Sequence, residues 1–438
     1  MERYTLTAPC RLRCTVALPA SKSISNRALV IYALSGFRHL PDNLGDCDDT
    51  AVMMRALESM PEVIDIKAAG TAMRFMTALL SASGGLSPLP SHLLTGTERM
   101  KHRPIKVLVD GLRHLGADIR YAGAEGFPPL RIVSRSLEGG TLELSGSVSS
   151  QFISALLLIG PVLRKGLTLR LTGAIVSRPY IDLTLWTMRE FGAHAEWTSV
   201  DTIEVKAQPY VPRPYLVEND WSAASYWYEM VALSTDAEAE VRLTGLMDGS
   251  KQGDSTVRYI FSLLGVRTAF DDATPGVPTT VTLRKSGHCV RHLDYDFTNA
   301  PDLAQTVVCA CCGLGVSFRF TGLQTLKIKE TDRIEALKAE LGKLGFGLED
   351  AAGGRELSWD GKRRGGRQGA GAQATATGTE PPVYIDTYED HRMALAFAPL
   401  SLVMPIGINA PHVVSKSYPH FWRDIQDAGF GVSSCGGD

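Results

Sequence analysis

Cysteine is scarce and scattered in this 438-residue chain, with eight residues at positions 10, 14, 47, 289, 309, 311, 312 and 435. Cys309, Cys311 and Cys312 lie close together, but no second cluster of Cys or His at ligand spacing completes a zinc site. They read as buried free thiols in an apolar helix, and such usage fits a reducing cytoplasm. No apolar run reaches the roughly 18–20 uncharged residues of a membrane span. The opening MERYTLTAPCRLRCTVALPA lacks a secretory apolar segment, so the expectation is a soluble, intracellular protein. A formal net charge of -2 supplies no global attraction for nucleic acid or lipid, so any anion site must come from local clustering of Lys and Arg. There is no G-x-x-x-x-G-K-[ST] loop, no strand-linked G-x-G-x-x-G and no G-x-S-x-G. His102 and His391 stand alone. These absences argue against nucleotide, flavin and metal chemistry, and neither cofactor nor metal is expected.

What is present is a weak internal repeat. Six segments begin with small polar or charged residues and run into an apolar helix: SKSISNRALVIYAL from Ser21, GTAMRFMTALL from Gly70, SVSSQFISALLLIG from Ser147, DWSAASYWYEMVAL from Asp220, NAPDLAQTVVCACCG from Asn299 and EDHRMALAFAPLSLV from Glu389. Each places its polar, cap-forming residues at the start and almost none later. Helices that apolar belong inside a domain. A more amphipathic helix follows each one, and five of these six end at Gly, the usual left-handed residue past a helix. Short stretches such as TLELSG, LTLRLTG, VRLTG and FRFTG read as strands. The unit is strand, buried helix, strand, outer helix, further strand. Three units per domain make two similar lobes of an α/β protein, which suits a length of two or three domains. Residues 361–381 (GKRRGGRQGAGAQATATGTEP) read as a flexible surface loop.

The start of a buried helix carries unpaired N–H groups and partial positive charge, and such ends bind phosphate or carboxylate. Candidate chemistry therefore lies in the polar starts. Ser23 and Arg27 share a helix face, and Lys22 stands where the dipole disfavours a cation, which makes sense if an anion lies between Lys22 and Arg27. Arg103, in TERMKHRP, can make a forked contact with a carboxylate or phosphate. Ser147, Ser149, Ser150 and Gln151 offer uncharged donors, where an ordinary cap needs one. Asp302 opens the fifth buried helix, where a carboxylate is either a plain cap or a general base aimed at a substrate hydroxyl. Lys329, Glu330, Asp332 and Arg333, then Glu389 to Arg392, then Lys416 alternate acids and bases in apolar surroundings, where charges are seldom left without partners or a ligand.

Taken together, LPASKSISNRAL, AGTAMRF, TERMKHRPI, SGSVSSQF, VSRPYIDLT, NDWSAASY, PDLAQT, IKETDRIEAL, TYEDHRMA and SKSYP resemble the EPSP synthase family of enolpyruvyl transferases, in the family's order from about residue 19 to 419. The resemblance implies a two-lobed inside-out α/β barrel, each lobe three βαβαββ units. It implies one lobe from residues 1–18 plus 219–438, with a second lobe, 19–218, inserted in it, and the lobes closing over a cleft. It implies two small-molecule substrates, shikimate 3-phosphate and phosphoenolpyruvate, no nucleic-acid or membrane partner, and a monomer. Carried over by motif, Lys22, Ser23, Arg27, Ser149, Ser150, Gln151, Ser177, Tyr180, Asp302, Thr325 and Lys329 would bind shikimate 3-phosphate. Lys22, Gly70, Arg103, Gln151, Arg333, Arg392 and Lys416 would bind phosphoenolpyruvate. Asp302 would act as the base on the 5-hydroxyl, and Glu330 or Lys22 would move the proton at C3, through a tetrahedral ketal and without metal. Gly70 at that pocket also implies competition by glyphosate and a less sensitive Gly70→Ala variant.

The sequence departs from the common pattern at Lys67-Ala68-Ala69, at Phe75 where Pro is frequent, at Thr325 where Asn often meets the shikimate ring, and at the bulky Trp221. The related UDP-N-acetylglucosamine enolpyruvyl transferases are the near alternative, but they typically carry a loop Cys that TGTERMKHRP lacks. A non-catalytic anion-binding protein on the same scaffold is the other, and it has no need of Asp302, Glu330 and Lys22 together.

Overall fold

The computed structural model describes residues 2–85, 89–272, 274, 276–364 and 381–434. Most of the loop expected at 361–381 therefore lies outside the described residues. The chain divides into two compact units, Met1–Pro19 with Asn219–Asp438, and Ala20–Glu218. The division falls after Pro19, one residue beyond the expected boundary, because the Pro19 carbonyl accepts from the Asp220 N–H at 2.9 Å.

In the second unit, Ala20–Glu218, the strand Val63–Asp65 runs parallel to Ser91–Thr95, which pairs antiparallel with Leu130–Val133, and that with Asp118–Tyr121. Gly140–Ser145, Leu167–Thr172, Thr202–Val205 and Ala195–Trp197 repeat this order. The first unit repeats it twice more within continuous chain or across the insertion: Arg13–Ala17, Glu240–Met247, Pro278–Lys285 and Val266–Phe270, then His292–Asp296, Ser317–Thr321, Glu356–Trp359 and Glu349–Ala351. A fifth copy takes its last strand from the chain's beginning. Val383–Ile385 and Ile406–Asn409 are parallel, and Arg3–Thr7 lies between Ile406–Asn409 and Gly431–Ser434.

Five four-stranded sheets thus stand among the described residues where the repeat implies six. Around helices Lys22–Leu34 and Asp48–Ser59 the described residues form no such sheet, and Asp42 makes an isolated pairing with Leu216. Pro41 lacks the N–H a ladder needs, and Phe37 and Asn43 have φ of 58° and 56°, which no strand tolerates.

The sheets' helices pack on their inner sides. Of the thirteen residues in Gly70–Ala82 and in Trp221–Leu233, all but Ala82 and Ser222 are buried. Strands such as Leu167–Thr172 alternate instead, burying Leu167, Leu169 and Leu171. The outer helices end as their glycines require: Gly116, Gly192, Gly265, Gly345 and Gly429 all have positive φ. The one outer helix without a glycine, Asp48–Ser59, is closed by Met60 in the same left-handed conformation, with φ 40°. Capping is less uniform than the sequence implies. Ser149, Asp220 and Asp390 accept from their own helix N–H groups, whereas Ser21, Ala69 and Leu303 make no side-chain cap. No helix among the described residues is long and apolar enough to cross a membrane.

Within each unit the three buried helices run parallel with their starts together. In the second unit Arg27, Phe75 and Ser154 lie at matching depths in Lys22–Leu34, Gly70–Ala82 and Ser150–Ile159. Arg27 bonds Ser154 Oγ at 3.1 Å and lies 5.5 Å from the Phe75 ring centre. In the first unit Ser225 meets Thr306 at 3.3 Å and Gln305 meets Met393 Sδ at 3.4 Å, joining Trp221–Leu233, Ala304–Leu314 and His391–Phe397 near their starts.

One ionisable group sits deep in this core. Glu229, in the middle of Trp221–Leu233, is fully buried, and neither carboxyl oxygen has a hydrogen-bond partner among the described residues. Burial pushes its pKa well above the ordinary 4.5 and, with Glu229 nearby, also pushes up the buried thiols of Cys309, Cys311 and Cys312. The folded state keeps a proton that the unfolded chain loses above pH 4.5. Stability must therefore fall as pH rises beyond that point, by up to about 1.4 kcal/mol per pH unit. Glu229→Gln removes this loss, so in urea melts its stability relative to the parent should climb as pH rises above about pH 5. A difference that stays constant over that range would show that the carboxylate is satisfied in the fold.

Candidate active site

In the second unit the expected anion-binding residues gather at the joined helix starts. Arg27 is buried, and it donates from Nε to Thr184 Oγ1 (2.8 Å), from Nη1 to the Ser23 carbonyl (2.7 Å), and from Nη2 to Ser154 Oγ (3.1 Å) and the Tyr180 carbonyl (3.1 Å). Every one of these partners is uncharged. Burial lowers the guanidinium to about 10, a shift that Tyr180 partly opposes. A buried cation with no counter-charge is costly, and an anionic ligand would supply one. Phe75, a departure from the common pattern, supports this cation with its ring face.

Tyr180 is set in turn by Ser177, which is buried, left-handed at φ 55°, and accepts the Tyr180 N–H at 3.1 Å. Lys22 and Ser23 form the half-buried first turn of their helix, beyond a Ser21 that does not cap it.

The start of Gly70–Ala82 is lined by two guanidinium groups. A Cβ on Gly70 would come 2.6 Å from Arg103 Nη1 and 2.9 Å from Arg74 Nη1. Glycine is therefore what allows both cations to reach this uncapped helix end. Arg74 also donates to the Gly70 carbonyl at 2.7 Å. Gln151 joins this start to that of Ser150–Ile159, donating to Thr71 Oγ1 at 3.2 Å, while Ser149 accepts the Gln151 N–H at 3.4 Å. Ser150 is half-buried in the same turn. Lys67, just before, adopts φ 53° and pairs with Asp65 at 2.6 Å, so this departure serves the entry turn.

The first unit holds an alternating charge cluster. Asp302 Oδ1 lies 3.1 Å from Arg333 Nη1 and 3.4 Å from Lys329 Nζ, and its Oδ2 lies 3.1 Å from Arg392 Nη2. Arg392 also donates to the Asp302 carbonyl (3.1 Å) and Tyr226 Oη (3.3 Å). Arg333 reaches Asp390 at 2.7 Å and Glu330 at 2.9 Å. Burial alone would lower Arg333, but Asp390, Glu330 and Asp302 outweigh it and the net shift is upward. Expected mainly as a ligand contact, Arg333 is thus the hub that orients both candidate catalytic carboxylates. Lys416 Nζ donates to the Glu389 carbonyl at 2.6 Å. Thr325 does not present its hydroxyl: Oγ1 is buried and lacks a hydrogen-bond partner among the described residues. Trp221 is wholly buried beside Phe270, a core substitution rather than a change in any surface.

Two residues in these clusters, Arg74 and Asp254, are not among the sequence candidates, and a third, Asp390, stands among them only as part of a mixed-charge helix start. Arg74 carries one signal, its i+4 spacing from Gly70. Asp390 lies in a mixed-charge helix start but caps it and holds Arg333 at once. Asp254 has no local signal. It is buried, accepts a hydrogen bond from Ser222 Oγ, and rises to about 6 through burial first and Asp302 second, against Arg392.

A family model described as EPSP synthase (3-phosphoshikimate 1-carboxyvinyltransferase) matches residues 59–425. A curated 3-phosphoshikimate 1-carboxyvinyltransferase from Bacteroides fragilis is 57% identical, over 98% of this chain and 98% of its own. One from Haemophilus influenzae is 33% identical over 97% and 99%. Among solved structures, an EPSP synthase from Acinetobacter baumannii matches with a TM-score of 0.75 at 20% identity, over 99% of this chain and all of that one. The enolpyruvyl transferase NikO from Streptomyces tendae matches with 0.71 at 15%, over 100% and 99%. At such identities the two structures speak for the fold, the two-lobed inside-out α/β arrangement.

The Gly70 geometry makes a direct prediction. In Gly70→Ala the obstacle is the movable end of two side chains, so the fold should survive while Arg103 and Arg74 are displaced. If this helix start seats phosphoenolpyruvate, as the resemblance implies, that ligand should bind about tenfold more weakly or worse by calorimetry, with an unchanged thermal midpoint. Equal affinity in the two proteins would mean that this helix start is not its seat.

Proposed function

The chain belongs to the EPSP synthase (3-phosphoshikimate 1-carboxyvinyltransferase) family, and we propose that the residues gathered above carry that family's reaction. The enzyme transfers the enolpyruvyl group of phosphoenolpyruvate to the 5-hydroxyl of shikimate 3-phosphate, on the route to chorismate and the aromatic amino acids. UDP-N-acetylglucosamine has less support as acceptor, since relatives at 57% and 33% identity bear the 3-phosphoshikimate name.

In this reading Arg27, with Lys22, Ser23, Ser149, Ser150, Gln151, Ser177 and Tyr180, holds shikimate 3-phosphate. Its uncharged partners leave its positive charge for the ligand. Gly70, Arg103, Gln151 and Lys22, and likewise Arg333, Arg392 and Lys416, hold phosphoenolpyruvate, whose carboxylate and phosphate call for several cations. Asp302 accepts the proton of the 5-hydroxyl as its oxygen bonds to C2 of phosphoenolpyruvate. C3 takes a proton from Glu330 or Lys22, giving a tetrahedral ketal. Loss of that proton and of phosphate restores the double bond as an enol ether. Lys329 orients Asp302 and the ring hydroxyls. Thr325 is retained only as a neighbour of the ring, since its buried hydroxyl supports no direct bond. The reaction needs no metal or cofactor in this reading, and the protein acts as a cytoplasmic monomer.

The observation that carries the proposal is Asp302 held within 3.4 Å of Lys329, Arg333 and Arg392, a carboxylate oriented from three sides. Its test is phosphate release from shikimate 3-phosphate and phosphoenolpyruvate in EDTA. The parent protein should turn over and Asp302→Ala should lose about a hundredfold or more in kcat. Absence of phosphate above background with the parent would sink the reaction. Turnover that disappears only in EDTA would sink its metal-free form.

A further inference from the structure

The helix Arg333–Lys343 begins at the hub Arg333 and carries a second buried charge two turns later, Glu340, on the same face. Glu340 Oε1 accepts the Tyr388 hydroxyl at 2.6 Å. Its Oε2 accepts the Asp386 N–H at 3.0 Å and meets Lys343 Nζ at 2.6 Å. Lys343 also pairs with Asp386 at 2.8 Å, and Asp386 accepts from Asn409 Nδ2 at 2.7 Å. A wholly buried carboxylate is thus spent on one short segment, residues 386 to 388.

That segment is strained. Tyr388 and Glu389 have φ of 52° and 56°, two consecutive left-handed residues, neither of them glycine. Such a conformation persists only where its surroundings impose it. Two site contacts hang on it. The Glu389 carbonyl receives Lys416 Nζ at 2.6 Å. The next residue, Asp390, caps the helix that carries Arg392 and holds Arg333 at 2.7 Å.

We propose that Glu340 is a positioning residue for the phosphoenolpyruvate cations, holding the left-handed Tyr388–Glu389 turn that sets Lys416 and the start of the Arg392 helix. It rests on the reading above that Lys416 and Arg392 bind phosphoenolpyruvate. Glu340 touches neither cation; it acts through the Tyr388 hydroxyl and the Asp386 N–H.

The test is steady-state kinetics with both substrates on the full chain. Glu340→Gln should raise KM for phosphoenolpyruvate about tenfold or more while KM for shikimate 3-phosphate moves less than about twofold. Tyr388→Phe removes only the hydroxyl and should shift the same KM in the same direction. It carries the test if Glu340→Gln does not fold. Because both act through one turn, the double variant should be little worse than Glu340→Gln alone. A loss of thermal midpoint with both KM values unchanged, or equal rises in both, would overturn the positioning role. Lys416→Met separates the two layers. If it raises KM for phosphoenolpyruvate and neither Glu340→Gln nor Tyr388→Phe does, this proposal fails alone; if it leaves that KM unchanged, the underlying reading fails and this proposal with it.

Discussion

Each unit is organised by the parallel burial of three helices whose first turns meet. Parallel helices add their dipoles, so the shared end gathers unpaired N–H groups and partial positive charge in a largely apolar core. Nothing else in the fold can move without regard to that end. The sheets wrap the helices and fix their depth, and the outer helices are closed by left-handed residues so that the next strand can return. Polar and charged side chains then collect at the starts because only there can they be hydrogen-bonded or meet a ligand.

The two units meet this constraint differently. In the second unit the buried Arg27 donates to hydroxyls and carbonyls, and Gly70 makes room for two more guanidinium groups. Such a site has positive charge to spare and suits binding of an anion. In the first unit acids and bases interleave: Asp302, Glu330 and Asp390 share Arg333, while Lys329 and Arg392 complete the contacts of Asp302. Charges arranged this way hold one another in fixed orientations, which is what proton transfer requires. Truncating one member of such a buried pair leaves the other uncompensated, at about 3–5 kcal/mol. The cluster therefore belongs to stability as well as to chemistry.

Much of this is visible in the residues themselves. The six apolar helices with polar starts, and the five outer helices ending at glycine, follow from local chemistry, and the structure has both. The missing sixth sheet also has a local cause in Pro41, Phe37 and Asn43, though a repeat read as a pattern overrides such detail. Arg74 was half legible through its spacing from Gly70. Asp254 and Glu340 were not legible: an aspartate in GDST and a glutamate in a charged helix resemble any surface residue until packing buries them. Trp221 and Phe75 stood out only as departures from a pattern, and the packing gives each a place, one in the core and one beneath Arg27.

The sequence by itself determined the class of fold, the family and the residue types at each helix start, because periodicity, caps and motif order are properties of neighbouring positions. Tertiary structure alone decided which charges meet. Arg333 lies 31 residues from Asp302 and 57 from Asp390, and only packing of separate helices makes it their common partner rather than a surface cation. It likewise decided that Thr325 turns its hydroxyl inward, that Glu229 is buried without a hydrogen-bond partner among the described residues, and that a strained turn at Tyr388 and Glu389 is held from a helix end two turns away from the site. Each of these depends on burial, and burial is set by which elements pack together, not by the order of residues along one of them.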